Sequence, residues 1–279
     1  MSLRTRFRSS LAAPVLVFGW AAIVWIAAAV AADAQAPPRP SDGTAAAIHA
    51  AMEAPERPAA DRARDRNRKP VETLGFFRLR RDMKVLELVP GGGWYTRILA
   101  PVLRDEGELA VSMFPGGAID ALPDAPGYDR VRVVDEGLDA ARIFGQARVN
   151  RRLGLPPFSF SDGGFDLVLT FRNLHNFTEE GRRHMHAAVF AALAPGGLYG
   201  VVDHTRRHMA PDHAEVWRRM DPVEMILEIE SAGFAFVDWS DLHYRPDDEL
   251  RYEVGRRTVT GNTDRFTFLF RKPENGKDR

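Results

Sequence analysis

Two histidines sit among hydrogen-bonding neighbours in a way that suits proton transfer: His175 in Arg172-Asn173-Leu174-His175-Asn176 and His204 in Asp203-His204-Thr205. An unperturbed imidazole titrates near pH ~6.5, so a neutral fraction able to accept a proton is present at pH 7. Asn173 and Arg172 beside them suit the carbonyl or carboxylate of a reacting molecule. A plainer reading stands next to each histidine, with His175 hydrogen-bonded to backbone at a strand end and His204 held by Asp203. His204, His208 and His213, with Asp203 and Asp212, raise the question of a metal; their spacing matches no established zinc motif, and no metal is assigned. Met209, Met220 and Met225 read as packing.

A second chemistry is carried by Val85-Leu86-Glu87-Leu88-Val89-Pro90-Gly91-Gly92-Gly93-Trp94-Tyr95-Thr96, a buried-strand pattern that runs through three glycines into a helix. Glycines at a strand end let backbone N–H groups approach a ligand closely, and the helix N-terminus behind them favours a carboxylate or phosphate. A tight turn between strand and helix also wants glycine, so the loop gains meaning only from what surrounds it.

The surrounding elements alternate strand-like and helical runs, the pattern of a parallel sheet covered on both faces. Strands are expected at 84–89, 108–113, 131–134, 165–171, 198–203, 234–238 and 265–271. Helices are expected at 96–103, 184–193 and 222–232, the last ending at Gly233. A long polar segment joins the final two strands, which are expected to pair antiparallel at the sheet edge. Ligands of such sheets sit at the carboxyl ends of the strands, where strand order reverses. The glycine loop, His175 and His204 all follow strand ends.

The 279 residues contain no cysteine, which excludes disulfides, a thiolate nucleophile and cysteine-based metal sites, and the formal net charge of zero gives no electrostatic case for nucleic acid. Arg4, Arg6 and Arg8 precede an apolar run at 11–32, followed by Ala32-Asp33-Ala34 and a Pro-rich stretch. Residues 1–34 are therefore expected to be an export signal, or an uncleaved membrane tether through 11–32, with the globular part periplasmic or otherwise extracytoplasmic. Residues 35–56 lack apolar periodicity and read as a flexible linker or loosely attached helix. The alternating Arg and Asp of 57–70 read as a solvated helix face. Residues 71–77 supply an apolar patch, 57–273 form the domain, and 274–279 are a polar tail.

Four segments together resemble the class I S-adenosylmethionine-dependent methyltransferases, and most closely bacterial predicted methyltransferases that carry signal sequences. They are Val85 to Gly93 above, Gly164-Phe165-Asp166-Leu167-Val168, Leu193-Ala194-Pro195-Gly196-Gly197-Leu198, and Glu228-Ile229-Glu230-Ser231-Ala232-Gly233-Phe234. The resemblance implies an α/β fold: a seven-stranded, mostly parallel Rossmann-like sheet with helices on both faces and its last strand antiparallel. It implies S-adenosylmethionine as cofactor, with Pro90, Gly91, Gly92, Gly93 and Tyr95 around its methionyl end. Glu87 would orient the loop or reach the cofactor's amino group, and Asp135 would lie near the adenine. Asp166 has a turn or packing role in such folds.

Two departures stand out: Val89 replaces a glycine, and the second strand ends Val111-Ser112-Met113-Phe114, without the carboxylate that usually binds the ribose hydroxyls. Ser112 or a backbone group would have to substitute. The expected activity is methyl transfer to a small-molecule acceptor with His175 or His204 as base and Asn173 assisting. The alternative is an exported binding protein of the same fold without turnover. A nicotinamide dehydrogenase fits worse, because Trp94, Tyr95 and Thr96 follow Gly93 where G-x-G-x-x-G needs its third glycine.

Overall fold

The computed structural model describes residues 42–274 of the chain. The signal or anchor expected at 1–34 lies outside the described residues, as do residues 275–279 of the expected tail. No helix among the described residues is long and apolar enough to cross a membrane.

Seven strands form one sheet in the order β3-β2-β1-β4-β5-β7-β6. They are β1 Lys84–Leu88, β2 Glu108–Ser112, β3 Arg132–Val133, β4 Phe165–Phe171, β5 Leu193–His204, β6 Ala235–Ser240 and β7 Arg265–Arg271. The first five run parallel; β7 lies antiparallel between β5 and β6, so the last two strands pair antiparallel at the edge as their polar connection implies. β4 and central β5 are almost wholly apolar because helices cover both faces. Strand order reverses between β1 and β4, and the carboxyl ends at such a reversal are where sheets of this kind bind ligands.

One face carries α1 Asp42–Glu53, α4 Pro70–Phe76 and α5 Thr96–Leu103, whose apolar residues join Val85, Leu167, Leu169 and Val202 in a single core, with the short α2 Ala59–Arg62 and α3 Asp65–Arg68 between α1 and α4 in the chain. α6 Gly116–Ile119 and α7 Ala140–Gly145 follow β2 and β3. On the other face α8 Glu179–Ala192 and α9 Pro222–Ser231 bring Met185, Val189, Met225 and Ile229 onto Val168, Tyr199 and Phe268. Met220 and Met225 are indeed packing residues, whereas Met209 is exposed.

Several expectations need correction. The expected linker contains α1, whose Ile48 and Ala51 are buried beside Leu74 and Phe77; its alanine-rich sequence favours helix, and the i, i+3 pair supplies a docking edge. The charged stretch at 57–70 is only in part a solvated face: Arg62, Arg64 and Arg66 are exposed, whereas Arg57, Asp61 and Arg68 are buried. Arg57 pairs with Asp65 and Arg97 with Asp61, each at 2.6 Å, while the Arg57 and Arg68 guanidinium groups lie 4.9 and 4.4 Å from the Trp94 ring centre. The third strand keeps only two residues, and β5 begins at Leu193, a bulge through Ala194-Pro195-Gly196-Gly197 separating its first pairing from the rest.

Candidate functional site

The glycine loop begins at Val89, which takes a left-handed φ of 48°, and Gly91 and Gly93 follow at 60° and 75°. Among the described residues, a Cβ on Gly91 or Gly92 would meet no protein atom within 4 Å, and neither amide has a backbone acceptor. An open cradle with free donors therefore faces outward from the end of β1, and it fits a carboxylate. Gly93 differs: a Cβ there would come within 3.1 Å of the Arg97 guanidinium and 3.4 Å of Ala118, so this glycine serves packing. Pro90 is buried and its carbonyl accepts from the Gly93 amide at 3.0 Å.

Glu87 lies beneath the loop and accepts from Thr96 Oγ1 at 2.7 Å, tying β1 to the start of α5. Burial pushes its carboxyl up to about 8, against the Thr96 hydrogen bond and the Arg97 charge. Of its two expected roles, this geometry serves loop orientation. Tyr95 does not line the cradle. Its ring is buried and stacked on Phe171 with centroids 3.5 Å apart, and burial raises its phenol above the ordinary range.

At the end of β2 the Ser112 hydroxyl is fully buried, 2.6 Å from the Val134 carbonyl and 2.7 Å from Glu136 Oε2. The Met113 amide donates to the same carboxylate oxygen at 3.3 Å. A carboxylate therefore does stand at the end of β2, Glu136 reaching it from beyond β3, and the sequence expectations did not include it. Asp135 is exposed, and its side chain closes a turn by accepting from the Gly137 amide at 2.8 Å. The β2–β3 register places Ser112 abreast of Val134, so the side chain two residues further along on the same face, Glu136, is the one that reaches Ser112.

At the ends of β4 and β5, Asp203 holds His175 rather than His204. Its Oδ1 is 2.6 Å from His175 Nδ1 and accepts the His204 amide at 2.7 Å, while Oδ2 accepts the His175 amide at 3.2 Å. With Nδ1–H directed at the carboxylate, His175 Nε2 is the proton acceptor, and it has no protein partner among the described residues. The two imidazole centres are 5.5 Å apart. His204 Nδ1 pairs with the Thr263 hydroxyl at 2.9 Å; burial first, then the charges of His175, Arg265 and Arg172, hold its pKa well below the usual histidine range. Asn173 is drawn away from chemistry: its Nδ2 donates to the Leu88 and Val89 carbonyls at 3.2 Å, lacing β4 to the root of the glycine loop.

The remaining residues weighed for a metal are dispersed. His208 pairs with Asp221 at 3.0 Å, Asp212 pairs with Arg152, and no metal-sized group of acidic or histidine ligands occurs among the described residues. Asp166 accepts the Lys84 amide at 2.8 Å, a packing role. A cleft of about 640 Å³ opens at the opposite, amino end of the strands, where Lys84, Arg132, Glu108 and Asp162 already pair with one another.

The sequence matches no protein-family model and no curated protein. The fold is similar to that of a SAM dependent methyltransferase from Aquifex aeolicus, with a TM-score of 0.50 and 15% identity over 82% of this chain and 98% of that one. The cyclase SpnF gives 0.49 at 16% identity over 84% of this chain and 94% of its own. The glycopeptide N-methyltransferase MtfA gives 0.45 at 16% identity, covering 74% and 96% respectively. The chain has the Rossmann-like fold of the class I methyltransferases; at this identity the likeness is one of architecture.

Proposed function

We propose that the protein is an S-adenosylmethionine-dependent methyltransferase acting on an O–H or N–H group of a small molecule, exported through its N-terminal segment. The observation that carries this reading is the open cradle of Gly91 and Gly92 at the strand-order reversal, with the Asp203–His175 pair at the neighbouring strand ends. The free amides of Gly91 and Gly92 suit the cofactor's carboxylate, and Glu136, braced by Ser112, supplies the acid expected near its ribose. When bound, S-adenosylmethionine supplies a methyl group on a cationic sulfur that leaves with the electrons of the broken C–S bond. His175 Nε2 takes the proton that the acceptor loses as its new bond to carbon forms, and Asp203 stabilises the resulting imidazolium.

The test is calorimetric titration of the full chain with S-adenosylmethionine and S-adenosylhomocysteine, beside Gly92→Ala. Gly92 is exposed, has no left-handed φ and has room for a methyl, so its fold should survive the change while a Cβ blocks the cradle. Micromolar binding, weakened about tenfold or more in the variant, supports the reading. Absence of binding at millimolar cofactor, or an indifferent variant, overturns it in favour of a binding protein for another ligand.

A further inference from the structure

Buried arginines in this molecule are almost all matched. Arg57, Arg97, Arg182, Arg206 and Arg219 each meet a carboxylate within 3 Å, and Arg68 lies over Trp94. Removing a guanidinium from water is costly unless such a partner is present. Two arginines beside the histidines, Arg265 buried and Arg172 half-buried, break the pattern. Arg265, the first residue of β7, is 6% exposed; one Nη donates to the Asn67 carbonyl at 3.0 Å, its Nε, like those of Arg57 and Arg206, has no partner among the described residues, and unlike those two it meets no carboxylate there. Arg172, at the end of β4, has no side-chain hydrogen bond or ion pair among the described residues, and its backbone is held in a left-handed φ of 63°.

The sheet brings them together. The Arg172 amide bonds to the Val202 carbonyl of β5, and His204 of β5 stands in register with Arg265 of β7, so both arginines flank the histidine pair on three adjacent strand ends. Their carboxylate neighbours are engaged elsewhere: Asp203 by His175 and the His204 amide, Asp264 by the Arg245 amide. Burial lowers the Arg172 pKa. It also brings Arg265 down to about 10, with the Arg172 charge as the next cause and Arg245 adding to it. Like charges gathered at one site, with their nearest carboxylates already engaged by other donors, form a receptor for an anion.

We propose that Arg172 and Arg265 form an oxyanion-binding subsite beside His175 and His204, and that the methyl acceptor carries a carboxylate or phosphate which these arginines hold. The acceptor's anionic group would fix its orientation while a separate O–H or N–H faces His175 Nε2. The identification as an acceptor subsite rests on the methyltransferase reading, whereas the anion site itself does not.

The experiment is calorimetric titration of the cofactor-free full chain with benzoate, phenyl phosphate and uncharged benzamide, repeated on Arg172→Gln and Arg265→Met. Benzoate or phenyl phosphate should bind at least about tenfold more tightly than benzamide, and the tighter of the two anions identifies the group. Arg172→Gln should abolish that preference with the thermal midpoint unchanged or raised, because the Arg172 side chain makes no hydrogen bond or ion pair among the described residues and its charge opposes that of Arg265. Equal binding of benzamide, no measurable anion binding, or a preference that persists in Arg172→Gln overturns the proposal, whether or not Arg265→Met folds. Titration of the same samples with S-adenosylmethionine reads the cofactor site separately, so either reading can fail alone.

Discussion

Asp203 Oδ1 lies 2.6 Å from His175 Nδ1 and receives the backbone amide of His204 at 2.7 Å, so one fully buried carboxylate fixes both histidine-bearing strand ends. An asparagine there can donate to Nδ1 and force the His175 proton onto Nε2, the wrong tautomer for a base. Asp203→Asn should therefore slow S-adenosylhomocysteine formation about 100-fold or more with cofactor affinity preserved. His175→Ala should do the same, and combining the two should add little, since they act as one unit. An undiminished rate in either variant removes the pair from catalysis.

Glu136 should matter to cofactor affinity in proportion to its charge. A charge-assisted hydrogen bond is worth roughly 1.5–3 kcal/mol, so Glu136→Gln should weaken S-adenosylmethionine binding about 10- to 100-fold while Asp135→Asn leaves it unchanged. The contrast follows from geometry: Glu136 is 9% exposed and braced by Ser112, whereas Asp135 faces solvent and closes a turn. Calorimetry on both variants checks it, and equal affinities would return the ribose role to some other group.

The sheet was legible because its central strands are long apolar runs whose burial on both faces leaves no other reading, and because glycine at 91 and 92 marks a strand end open to a ligand. What escaped was decided by contacts distant in sequence. The charges of 57–70 look solvated until Trp94 and Arg97 meet them from α5 and the loop before it. Seeing that Glu136 reaches Ser112 needs the β2–β3 register, and knowing which histidine Asp203 serves needs β4 beside β5. Tyr95 follows the glycines in sequence, yet its ring finds Phe171 across the sheet. An alanine-rich helix such as α1 shows little contrast between its faces, so its docking edge has no periodic signature.

That docking edge can be measured. Ile48 is fully buried against Leu74 and Phe77, so Ile48→Ala should cost ~2–5 kcal/mol in urea unfolding of the full chain. His49→Ala, on the exposed side of the same helix, should stay within about 0.5 kcal/mol. If both variants were equally mild, α1 would be an attachment that the domain does not need.

Glu87 gives stability an unusual pH dependence. Its folded pKa of about 8 exceeds the ordinary 4.5, so between these values the folded state holds a proton that the unfolded state has released, and stability falls as pH rises. His243, lowered to about 3 by burial and then by the charges led by Arg265, and His204, also held low chiefly by burial, act in the opposite sense. Unfolding lets them bind protons below about 6.5, so their contribution is present above that pH and lost as pH falls. Below pH ~6.5 the two histidines outweigh the single carboxyl; above it the carboxyl acts without them, which places maximum stability near pH ~6.5. At about 1.4 kcal/mol per proton and pH unit, the wild-type chain should lose ~2 kcal/mol between pH 6.5 and 8. In Glu87→Gln the amide oxygen can still accept from Thr96 and nothing titrates, so this decline should disappear and the variant should be the more stable protein at pH 8. Urea unfolding at pH 5, 6.5 and 8 measures it; a wild-type curve that is flat or rising above pH 6.5 would mean that Glu87 is ionised in its buried site.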